Sequence, residues 1–73
     1  MKKKILIEEM ICGYSASHVR HILSEMKEVL FVDVNLKEKY AIVDTIADID
    51  EKILKTAIDN AGYIVLGIES IKN

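Results

Sequence analysis

At 73 residues the chain has room for one domain and one small core, since a chain this short buries only about 60% of the surface it exposes when unfolded. With 51% hydrophobic and 30% charged residues it reads as globular, not disordered. A formal net charge of −2 supplies no general attraction to nucleic acid, and a single cysteine excludes an internal disulfide framework and fits a reducing, cytoplasmic compartment.

The chain opens on Met1-Lys2-Lys3-Lys4, and its short length with an initiating methionine predicts a free-standing protein, one domain over residues 1–73. The apolar run Ile5-Leu6-Ile7 stops at Glu8 and Glu9, far too short for a signal-peptide core or a membrane span. Residues 3–10 instead read as a strand, with Ile5 and Ile7 two apart and Leu6 on the opposite face. The three lysines fit an exposed strand start that discourages edge pairing. After Cys12 and Gly13 the period changes. Ala16, Val19, Ile22, Leu23 and Met26 mark one helical face, while His18, Arg20, His21, Glu25 and Lys27 fall largely elsewhere.

"VLFVDVNL" then places Val32, Val34 and Leu36 on one face of a second strand. The polar turn Lys37-Glu38-Lys39 joins it to Tyr40–Thr45, where Ala41 and Val43 point inward. Asp48 and Glu51 have the spacing of a capping box ahead of a second helix. Ile53, Leu54, Ala57, Ile58 and Ala61 form its apolar stripe, and Gly62 is placed to end it in a left-handed conformation. "YIVLGIESI" is a last strand, weakened at Gly67. The order β-α-β-β-α-β predicts an α+β, ferredoxin-like fold: an antiparallel four-stranded sheet with two helices on one face. The open face would carry Leu6, Phe31, Tyr40 and Ile42, through which a homodimer could form.

In this order three stretches resemble a known family. Met10-Ile11-Cys12-Gly13-Tyr14-Ser15 lies where heavy-metal-associated domains carry Met-X-Cys-X-X-Cys, at the junction of first strand and first helix. Val32-Asp33-Val34-Asn35-Leu36 resembles their second strand, and Ala57-Ile58-Asp59-Asn60-Ala61-Gly62-Tyr63 the end of their second helix. Such domains form copper metallochaperones and the N-terminal modules of metal-pumping P-type ATPases. The resemblance implies a soft ion, usually Cu(I), held by two thiolates and passed to a partner's thiols. It also implies an inward-pointing Met10 that supports the loop, and a Tyr63 that limits solvent access to it.

The chain departs from that pattern at the chemistry itself. Ser15 stands where the second cysteine is expected, and a hard, seldom-ionised alcohol cannot replace a thiolate at Cu(I). Glu9 stands where the family commonly has glycine, Ile11 where it often has a small polar residue, and Lys27-Glu28 where it usually turns on proline or glycine.

Cys12 is therefore the candidate metal ligand, its thiolate favoured by the free N–H groups of a helix start. The bland alternative is an ordinary free thiol in a loop. Ser15 is most simply a residue whose hydroxyl caps the helix, with His18 a weak second candidate through its imidazole and His21 weaker still. The leading expectation is a metal-binding and metal-trafficking domain for Cu(I) or another soft ion, its second donor coming from another copy, from a P-type ATPase or from another metal-binding domain. The alternative is a metal-independent interaction or regulatory module on the same scaffold. An enzyme is not expected: no phosphate-binding glycine loop is present, and the chain's sole arginine, Arg20, lies too far along the helix for an acylphosphatase-like phosphate loop.

Overall fold

Alternating apolar residues set the layers of the molecule. In the computed structural model, which describes residues 1–71, β1 (Lys2–Glu8) is followed by α1 (Gly13–Ser24), β2 (Val29–Asn35), β3 (Tyr40–Thr45), α2 (Glu51–Asn60) and β4 (Ile64–Ile71). The strands form one sheet in the order β2-β3-β1-β4, with every neighbouring pair antiparallel. This is the expected ferredoxin-like α+β arrangement.

The pairing register collects the apolar positions on one side. Ile5 faces Ala41 across one ladder and Ile68 across the other. Ile5, Ile7, Ala41 and Val43 are fully buried beneath Val19 and Leu23 of α1 and Leu54 and Ile58 of α2. Burying each of the larger side chains contributes about 1.5–3 kcal/mol, the main return available to so small a domain. Val34, Leu36 and Met26 pack against this core from its margin, Met26 from the turn just beyond the end of α1.

Strand order corrects the reading of the lysines. β1 lies between β3 and β4, so its start guards no sheet edge. Lys3 is 7% exposed, on the helix-covered face, and its Nζ reaches Asp48 at 3.3 Å and Glu51 at 3.6 Å. Those two carboxylates are thereby taken from the capping box expected of them. The cap of α2 is Asp50, whose Oδ1 accepts from the Lys52 N–H at 2.9 Å.

The far end of α2 follows expectation. Gly62 has φ +98, its N–H bonds to the Asp59 carbonyl at 3.0 Å, and the Tyr63 N–H reaches back to Ile58 at 3.3 Å. This paired closure satisfies two carbonyls the helix would leave free. Within α2 the buried stripe is narrower than expected. Leu54 and Ile58 carry it, Ala57 is half-buried, and Ile53 is exposed. In β4 a register shift beside Gly67 leaves Leu66 as the extra residue of a bulge.

On the open face the register alternates charge with the apolar residues. Lys4 stands opposite Ile42 and Glu69, and its Nζ lies 4.5 Å from the centre of the Tyr40 ring. Phe31 is exposed, as is neighbouring Leu30. Among the described residues no helix is long and apolar enough to cross a membrane.

Candidate metal centre

The loop hangs from the central strand. β1 ends at Glu8, two residues short of the expected limit, because Glu9 turns into the left-handed region at φ +68. That turn sends Met10 into the core, where it is fully buried, and leaves Ile11 and Cys12 facing outward. Met10 therefore points inward, next to the loop that carries Cys12.

Cys12 is extended (φ −151, ψ 172) and occupies the N-cap position of α1. Its carbonyl accepts the first helical bond, from the Ala16 N–H at 3.1 Å. Ser15 is therefore not the cap that its residue type suggested. It sits in the first turn, 8% exposed, with its hydroxyl oxygen 3.6 Å from the Cys12 sulfur. The thiol is held below its ordinary pKa, first by the Ser15 backbone N–H, then by the Ser15 hydroxyl, then by the Tyr14 N–H, against an opposing desolvation. In the thiol form the sulfur closes no capping hydrogen bond. The same N–H groups are the donors on which a thiolate draws.

Ile11 and Tyr14, one residue before and two residues after Cys12 in the chain, are 76% and 78% exposed. His18 lies one turn beyond Tyr14, with ring centres 6.2 Å apart. Its Nδ1 is 3.1 Å from the Tyr63 hydroxyl, and the two rings meet edge to face at 5.7 Å. His18 is thus bound to Tyr63, and His21 lies outside the group, exposed beside Glu25 at 3.5 Å. Among the described residues no three His, Cys, Asp or Glu side chains gather closely enough to share an ion.

The structure therefore brings Cys12 to Ser15 and His18 to Tyr63, with Tyr14 beside His18. The Tyr14 role was missed, although its four-residue spacing from His18 was visible in the sequence. The His18–Tyr63 bond joins residues 45 positions apart and had no local signal. Chemically, the site offers one soft, outward-facing sulfur whose thiolate form is favoured by backbone N–H groups and the Ser15 hydroxyl.

A model of the heavy-metal-associated domain matches residues 4–63. Among solved structures, a CopZ metallochaperone is 28% identical, over 90% of this chain and 100% of its own, with a TM-score of 0.84. A copper-binding domain from HMA7, a P-type ATPase, is 25% identical over 96% of this chain and 100% of its own, at 0.79. The N-terminal domain of ZntA, in its Zn(II) form, shares the fold at 22% identity and a TM-score of 0.85, over 99% of this chain and 96% of its own. No curated protein matches the sequence.

Proposed function

The chain belongs to the heavy-metal-associated domain family, and on that premise we propose that it binds a soft metal ion as cargo through Cys12 and hands it to a partner's thiols. Cu(I) is the foremost candidate, since a lone thiolate sulfur suits a soft, polarisable ion. The observation that carries this reading is the placement of Cys12: exposed at the start of α1, with N–H groups behind it that favour the thiolate. On this reading Ser15 takes the place of the family's second cysteine and supports the sulfur it cannot replace.

One thiolate per chain leaves the ion short of a soft donor. The second comes from Cys12 of another copy or from a partner domain, such as a metal-binding domain of a P-type ATPase. Transfer is then ligand exchange: the incoming sulfur bonds to the ion before Cys12 lets go. The protein acts by binding and release, without catalysis, in the reducing conditions of the cytoplasm.

Cu(I) titration against a competing chelator, at several protein concentrations, tests the proposal. Wild type should bind more tightly as its concentration rises, and Cys12→Ala should lose that binding. Coincident curves for the two proteins would overturn the metal role. Exposed Leu30, Phe31 and Leu66 favour one other reading, an interaction module that associates without metal. Sedimentation of chelator-treated protein separates the two, because only the interaction module predicts a metal-free dimer that survives Cys12→Ala.

A further inference from the structure

The first turn of α1 lacks the ordinary supports of a helix start. Cys12 contributes no side-chain cap, Gly13 has no side chain to pack, and the turn carries no acidic residue. Helix ends fray, and this one has no side-chain cap against it. The Ala16 N–H closes on the Cys12 carbonyl at 3.1 Å, and buried Ser15 and core-packed Ala16 hold part of the turn in place of a cap.

A row of rings runs from that turn across to the other helix. Tyr14 lies in the turn and meets His18 four residues on, where side chains on one helix face meet. His18 then meets Tyr63 edge to face, with Nδ1 and the hydroxyl at 3.1 Å. Tyr63 is fixed in turn: its N–H bonds to Ile58 at the end of α2, and it packs against the core. The row therefore ends on a rigid junction and begins two residues from the cysteine. Either neutral tautomer of the imidazole satisfies the bond, as donor to the hydroxyl oxygen or as acceptor of its proton.

We propose that His18 is a positioning residue for the Cys12 loop: its hydrogen bond to Tyr63 fixes the second turn of α1 to the α2–β4 junction, and its ring contact with Tyr14 carries that hold to the first turn, where no side chain caps the helix. The functional meaning of this latch rests on the metal-transfer reading, whereas its mechanics do not.

Amide hydrogen exchange on the metal-free protein, followed residue by residue by NMR, tests the latch. The reporter is the Ala16 amide, whose bond closes on Cys12, and the Ile5 and Val43 amides of the sheet are the reference. His18→Ala and Tyr63→Phe should each speed Ala16 exchange about three- to tenfold, the range of a typical hydrogen bond, and leave the references unchanged. The double variant should be no faster than His18→Ala alone, because that change already breaks the bond to Tyr63. His18→Asn, whose amide keeps a hydrogen-bonding atom near the position of Nδ1, should restore the slow rate.

Unchanged Ala16 exchange in both single variants would overturn the latch. Equal acceleration at Ile5 and Val43 would also overturn it, since a general loss of stability moves all three. Wild-type Cu(I) binding by Cys12→Ala would sink the metal reading alone, because the exchange experiment contains no metal.

Discussion

The two helices of this domain begin in opposite ways. α2 starts on Asp50, which caps the Lys52 N–H, has Glu51 in its first turn, and is tied to the sheet by the buried ammonium of Lys3. α1 starts on an exposed cysteine that closes no cap, followed by glycine. The same four free N–H groups exist at both starts. In α2 a side chain consumes part of that capacity and the helix gains stability. In α1 the capacity is left facing a sulfur, and the helix gains a chemical handle.

The largest expected effect tests what anchors the weaker start. Met10→Ala removes the fully buried side chain next to the loop, and should cost about 2–5 kcal/mol in chemical denaturation. A cost under about 0.5 kcal/mol would mean that the loop is held from elsewhere.

Exchanging the caps comes next. Asp50→Ala should destabilise by about 1 kcal/mol. Cys12→Ser should do the reverse, adding about 0.5–1 kcal/mol by supplying the oxygen cap that α1 lacks, while abolishing soft-metal binding. A destabilised Cys12→Ser would break the contrast between the helices.

Glu9 offers a smaller and separate gain. A glutamate at φ +68 is strained where glycine is not, so Glu9→Gly should raise stability by about 0.5–1 kcal/mol, read as an increase in denaturant midpoint.

The smallest effect is on the thiol itself. Its folded-state pKa lies below the unfolded one, so this group's contribution to stability is present above the unfolded pKa and is lost as pH falls through the folded one. Thiolate absorbance should titrate lower in the folded chain than in urea, and Ser15→Ala should move the folded midpoint upward by removing the hydroxyl. Matching midpoints for folded and unfolded chains would mean that the N–H groups do not act on the sulfur.

Much of this architecture was legible in local pattern. Ile5 and Ile7, then Ala41 and Val43, alternate as half-buried strands do, and Gly62 marks its helix end because few other residues tolerate φ +98. What the pattern concealed was set by tertiary neighbours. The Lys2–Lys4 run looks like an edge until the order β2-β3-β1-β4 places it in the middle of the sheet. Asp48 and Glu51 have capping-box spacing, but a lysine from a strand more than forty residues earlier claims both. Ile53 matches a helical stripe in type, yet a ten-residue helix resting on Leu54 and Ile58 turns it to solvent. At the candidate site, Cys12 could be singled out from its place between strand and helix. The bond from His18 to Tyr63 could not, because it exists only once α1 and the α2–β4 junction are packed together.

One consequence follows from where β1 lies. Its residues are hydrogen-bonded to β3 on one side and β4 on the other, and the loop begins one residue beyond its end. Cys12 thus follows, four residues on, one of the two inner strands, each of which is hydrogen-bonded on both sides. On the proposed metal-transfer reading, a docking protein would meet the thiol already in place, so little conformational freedom would be lost on encounter. The frequency of productive collisions then depends on orientation and diffusion, not on waiting for a segment to fold.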